Sequence, residues 1–276
     1  MRNARRWTWR TAAAVLALAP LPPAFADPWI AAAGAGSVDF AIRQFDATQA
    51  FLPGEYGTST LPASELRYSM LRMTGEHGLG HGLSIEYDLR AAHVEKIRTR
   101  HGRRVVESSL GVEDQEVGLN IGLTQGRRFA DSIALNVVAA TGSITSHPAL
   151  GTGHTAVEPD FQAGFAASRW RVSLKTGPRV FVDGGAAQMR AELDASVRIS
   201  RRIELGGVLF YVRTLAMRHP LPTTDSAERY DLLRPGLRLK YRISDRLKPF
   251  IEYEQDVAGQ AIHAGRRISV GVSYAY

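Results

Sequence analysis

The 276-residue chain contains no cysteine, so a fold exported to an oxidising compartment has to hold without disulfides. After the first two dozen residues no apolar run reaches the ~18 residues of a transmembrane helix, so an integral membrane fold would have to be built of strands. No Pro/Ser-rich linker or low-complexity block divides the chain, and about 250 residues are compatible with one large domain. Excess charge is also scarce. The formal charge of +7 includes Arg2, Arg5, Arg6 and Arg10, and without those four arginines it is +3. A nucleic-acid partner is therefore not expected.

What is present starts with a leader. Those arginines precede an apolar stretch, Thr11 to Leu21, and then Ala24-Phe25-Ala26, a small-x-small cleavage pattern. The order is that of a secretory signal peptide, residues 1–26, leaving 27–276 as the folded unit. An uncleaved anchor is the alternative, but the apolar part is short and broken by Pro20, Pro22 and Pro23.

Period-two alternation then recurs throughout. Met189, Ala191, Leu193, Ala195 and Val197 alternate with Arg190, Glu192, Asp194, Ser196 and Arg198. The last eleven residues alternate Ile268, Val270, Val272, Tyr274 and Tyr276 with small or polar neighbours. A helix would mix these classes, so the pattern means strands. About twelve are expected, near 36–45, 65–76, 82–95, 113–124, 128–142, 158–168, 170–183, 188–200, 203–216, 229–244, 247–257 and 266–276. Most are long enough to cross a bilayer, which takes ~9–11 tilted residues. Short turns, such as His77 to His81 and Ser244 to Arg246, alternate with mostly longer loops. The expected fold is all-β: a transmembrane antiparallel up-and-down barrel.

A soluble barrel with an apolar interior would give the same alternation. Width and charge separate the two. About twelve strands enclose more space than these modest apolar side chains fill, whereas an apolar exterior leaves the charged set to a lumen. Phe129, Trp170, Tyr241 and Tyr276 all fall on the apolar face near the short-turn end, the placement of an interfacial girdle. Lumen-lining candidates are Glu86, Asp88 and Arg90; Glu116; Arg171, Lys175 and Arg179; and Arg190, Glu192, Asp194 and Arg198. The tenth and eleventh strands add Arg234, Arg238 and Lys240, then Glu252, Glu254 and Asp256. Such charges either filter solutes or pair and block the passage. A three-residue turn, Ser244-Asp245-Arg246, would set Arg238 opposite Glu252 and Arg234 opposite Asp256, and the same count sets Arg198 opposite Glu204.

Two resemblances add to this. The C-terminal alternation ending in an aromatic resembles the signal read by the barrel-assembly machinery, with Tyr274 and Tyr276 as its residues; Tyr276 stands where Phe is usual. "SLGVEDQEVGLNIGL", "IALNVVAATGS" and "ALGTGHTAVEPDFQAGFAAS" resemble the outer-membrane family named for the meta-pathway of phenol degradation, whose members are described as candidate transporters. Gly111 and Asp114 match its first motif, with Glu113 in place of glycine. Thr141-Gly142 match the second, with Ala140 in place of proline, and Leu150-Gly151-Thr152-Gly153 match the third fully. The motifs cover about residues 109–168. They imply a passive channel for small molecules, aromatic or hydrophobic catabolites among them.

No catalytic set is legible. His93 is the one histidine on a clear strand and lacks a serine two positions away; an interfacial role is expected for it. His77 and His81 are read as polar turn residues, and no cofactor or metal is expected. The expectation is a monomer in outer-membrane lipid, carrying an unknown small solute. A non-transporting surface barrel is the second reading and a hydrolase the third.

Overall fold

The computed structural model describes residues 28–182, 186–217 and 230–276. The expected leader, residues 1–26, and His219 lie outside them. Regular structure in the described residues is entirely β: β1 (Gly36–Phe51), β2 (Thr60–Gly80), β3 (Leu83–Arg100), β4 (Arg103–Val112), β5 (Gln115–Gln125), β6 (Phe129–Ala139) and β7 (Ala156–Ala166). There follow β8 (Trp170–Phe181), β9 (Ala186–Arg198), β10 (Ile203–Met217), β11 (Asp231–Tyr241), β12 (Leu247–Gln255), β13 (Ala258–Gln260) and β14 (His263–Ala275).

β4 and β5 both pair with β3, one above the other, as one stave broken at Glu113-Asp114. β12 and β13 both pair with β11, as one stave broken at Asp256-Val257. Fourteen strands less these two divisions make twelve staves. Each stave runs antiparallel to the next, and β14 closes against β1 with Val38 opposite Tyr274. Closure leaves no sheet edge within the ring, which hydrocarbon requires of any strand-built membrane structure.

The barrel is inside out relative to a soluble protein. On β6, Phe129, Ile133, Leu135 and Val137 are 44–53% exposed, while Ala130, Ser132, Ala134 and Asn136 between them are at most 1% exposed. On this strand burial belongs to the polar and small set, the reverse of a soluble barrel with an apolar interior. Phe129, Trp170, Tyr241 and Tyr276 are all exposed at the short-turn end, as a girdle requires. His77 belongs to this girdle. It lies within β2, stacks on Tyr276 at 6.0 Å and has Nδ1 3.1 Å from the Tyr276 hydroxyl.

The twelve expected strands all occur, but several boundaries differ: β1 runs on to Phe51, β2 already begins at Thr60, and the turns on either side of β3 are tighter. β2 runs through to Gly80, so the His77–His81 turn shrinks to His81-Gly82, with φ of 53° and 73°. Positive φ at both central residues is the type I′ geometry that matches the strands' right-handed twist. His101-Gly102 repeats it at the other end of β3, with φ of 50° and 74°. There the sequence reading expects a long loop, and the chain instead forms the β3–β4 hairpin. The His-Gly dipeptide was the available signal.

One part of the wall is weakly paired. Between the partners Val157–Val180 and Phe161–Thr176 the β7–β8 ladder lapses. Pro159 and Pro178 face each other at its centre, and neither has an N–H to give.

Candidate functional site

The alternation turns the charged set inward, and the pairing within it exceeds what hairpin register alone implies. Across the β11–β12 hairpin, Ile243 N donates to Leu247 O at 3.1 Å, the closure of a three-residue turn. Arg238 then stands opposite Glu252, and the guanidinium bonds that carboxylate. Arg234 Nε donates to Asp256 Oδ1 at 2.7 Å, even though Asp256 falls in the break between β12 and β13. Arg198 does stand opposite Glu204, but the expected ion pair does not form, and Arg198 Nε has no hydrogen-bond partner among the described residues.

Other pairs cross the interior as chords. Arg43 on β1 passes over β14 to Glu252 and Glu254 on β12, at 3.3 and 3.6 Å. Arg238 reaches over β10 to Asp194 on β9 at 3.3 Å. Arg179 on β8 bonds Glu158 on β7 and reaches Glu116 on β5 at 2.7 Å, while Arg190 on β9 bonds Glu158 at 2.7 Å. Lys175 on β8 lies 3.3 Å from Asp160 and 3.6 Å from Glu86 on β3, spanning the lumen. Arg72 grips Asp88 through two bonds of 3.0 and 2.6 Å, and Arg90 shares that carboxylate. Charge-assisted bonds of this kind are stronger than neutral ones and fix long side chains in one geometry. They cinch the middle of the barrel around an open polar space, lined among others by Asp39, Arg72, Asp88, Glu116, Glu192 and Phe210.

Both mouths carry inward-folded chain. At the loop end, residues 140–155 dip into the barrel and are held by Asp114. Its Oδ1 accepts from Gly142 N at 3.0 Å, and its Oδ2 from Thr152 N at 2.7 Å and Thr152 Oγ1 at 2.8 Å. Asp114, Thr141-Gly142 and the Leu150–Gly153 run, far apart in sequence, thus form one clasp. Beside it Thr141 Oγ1 donates to Glu113 O at 2.6 Å, and the Tyr68 hydroxyl donates to the Glu113 carboxylate. Leu150 is buried against Ala92 and Val94 on the inner face of β3.

At the short-turn end, residues 28–35 form a strap. Gly34 N donates to Gly78 O and Gly78 N to Ala35 O, both at 2.9 Å, so the strap leaves β1 along β2. Ile30 N donates to Gln125 Oε1 at 2.8 Å, and Gln125 Nε2 to Pro28 O at 2.8 Å. Trp29 Nε1 reaches Gly126 O at 2.8 Å, and the Arg171 guanidinium lies 4.9 Å over the indole. The lack of a side chain at Gly164 makes room, since a Cβ there would stand 2.6 Å from the Trp29 ring. Sequence periodicity carried no signal for strap or clasp, because neither lies in a strand.

His93 sits on the outer face of β3 with Nε2 3.9 Å from Glu95. Ser64 Oγ and His263 Nε2 are 3.5 Å apart, beyond the ~2.6–3.2 Å of an activated nucleophile and its base. Among the described residues no group of three or more His, Cys, Asp or Glu is arranged to hold a metal ion.

No protein-family model and no curated protein matches the sequence of this chain. Its structure is similar to the COG4313 outer membrane channel from Pseudomonas putida F1, at TM-score 0.68 and 14% identity, covering 91% of this chain and 98% of that one. It is also similar to the NanC porin (TM-score 0.54, 8% identity, 86% and 98% covered) and the KdgM porin (0.51, 11%, 87% and 99%). At these identities the likeness is one of fold: a complete twelve-stave barrel matched over nearly the whole length of each channel or porin.

Proposed function

We propose that this chain is a monomeric outer-membrane barrel that passes small molecules passively through its charged lumen. The observation that carries the reading is the inversion of burial: an apolar exterior with an aromatic girdle around a lumen lined by charged and polar side chains. The exposed band suits lipid and the interior suits hydrated solute. Export through a leader cleaved after Ala26, and recognition of Tyr274 and Tyr276 by the assembly machinery, belong to the same proposal. Aromatic or hydrophobic catabolites as solutes rest on the resemblance over residues 109–168.

The strap and the clasp favour a second reading, a barrel whose lumen is stoppered and whose work is done by its loop-end surface. Single-channel recording in a planar bilayer separates them. Steady unitary conductance is expected for the channel, and its absence from folded, heat-modifiable protein overturns that reading. Recovery in a soluble periplasmic fraction, rather than with outer membranes, would overturn the location.

A further inference from the structure

The strap's contacts run along β2, β5, β7 and β8, covering one side of the short-turn mouth. The arc left beside it, at the base of β9 to β12, is lined by cations. Lys240 stands opposite Glu204 on β10 and Phe250 on β12, and Lys248 stands opposite Ser273 on β14. Arg242 follows β11 on the same inward parity as Lys240, and its Nη1 lies 3.4 Å from Asp245, a residue of the exposed turn. Lys248 is only 7% exposed.

In contrast to the cinched middle of the lumen, neither Lys240 nor Lys248 has a hydrogen-bond or ion-pair partner among the described residues. Lys240 Nζ lies 6.0 Å over the Phe250 ring. Three cations, Lys240, Arg242 and Arg171, lie within electrostatic reach of Lys248, and Glu204 is the acid there. Lys240 is influenced by Asp39, Glu204 and Asp194 and opposed by Arg238. Two ammonium groups withdrawn from bulk water and close to each other repel, and no side chain among the described residues neutralises either by a direct ion pair.

We propose that this cluster is an oxyanion-binding site at the strap end of the lumen, taking a small solute that bears a carboxylate or a phosphate. Lys240 and Lys248 hold the anion as point charges, Arg242 adds a third donor group, and Phe250 offers an apolar wall. An aromatic carboxylate uses both features; inorganic phosphate uses the charge alone. In this proposal solutes pass the cluster on their way through the strapped mouth, and the site selects among them there. In that role it rests on the channel reading, but its binding chemistry does not.

The test is equilibrium binding to the full chain in detergent, by calorimetry, with benzoate, inorganic phosphate and choline as probes. Saturable binding of benzoate or phosphate but not choline is expected, with sulfate competing. Tighter binding of benzoate than of phosphate would identify an aromatic carboxylate as the better ligand, and the reverse order a phosphate. Lys240→Met with Lys248→Met should weaken binding at least ten-fold, and Lys248→Arg should retain it. No saturable binding, or binding indifferent to sulfate, overturns the site even if the double variant fails to fold. Equal binding by a folded double variant overturns it too. Binding without any bilayer conductance would sink the channel reading and leave the site standing.

Discussion

Asp114 Oδ2 accepts from the backbone N of Thr152 at 2.7 Å and so joins the β4–β5 break to a loop thirty-eight positions later. The same carboxylate holds Gly142 N, and its residue is 8% exposed. A hydrogen bond to a charged group contributes about 1.5–3 kcal/mol. The staves do not depend on it. Asp114→Ala should therefore leave a folded, heat-modifiable barrel while releasing residues 140–155. Faster proteolysis within that loop and a larger unitary conductance are expected. Unchanged cleavage and conductance would show that Leu150, packed on Ala92 and Val94, holds the loop by itself.

The closing seam is made by the chain's last residues. Tyr276 N donates to Gly36 O at 3.0 Å and Gly36 N to Tyr276 O at 3.1 Å, with Tyr274 opposite Val38. Removing Tyr274 to Tyr276 opens the end of this seam, takes two rings from the girdle and strips His77 of its stacking partner. Pulse-chase labelling should show degradation in place of assembly. Normal levels of heat-modifiable protein from the shortened gene would refute the closing role.

Glu252 and Asp256 each serve more than one cation: Arg238 and Arg43 for Glu252, Arg234 and Arg267 for Asp256. Glu252→Gln with Asp256→Asn keeps size and some hydrogen bonding but removes two negative charges beside four positive ones. Reversal potentials in a salt gradient should shift toward anions, by more than two hairpin pairs alone would produce. An unchanged potential in a conducting variant would place these groups off the ion path.

Trp29 ties the strap across the short-turn mouth through Gly126 and Arg171. A cation–π contact with partial desolvation contributes ~0.5–2 kcal/mol and the indole hydrogen bond about 1 kcal/mol. Trp29→Ala should loosen the strap without unfolding the barrel, which is closed by other strands. Higher open-channel current and more frequent substates are the expected record. Identical traces would mean that Pro28, Ile30 and the Gly34–Gly78 bonds hold the strap unaided.

The staves were legible because a lipid-facing wall obliges every other residue to be apolar, and a period of two survives in the sequence whatever the neighbours are. The same rule fixed Arg238 opposite Glu252, since turn length and face together leave one register. Three things were decided only in the tertiary structure. The chords Arg179–Glu116, Lys175–Glu86 and Arg43–Glu254 depend on which staves face one another across a closed ring, and hairpin counting reaches only neighbours. Arg198 shows the converse: register set it beside Glu204, yet opposition on the ladder did not produce an ion pair. The strap and the Asp114 clasp lie in irregular chain, where no period exists to be read. Asp114, Gly142 and Thr152 stood out by resemblance, but only folding the 140–155 loop inward made them one hydrogen-bonded unit.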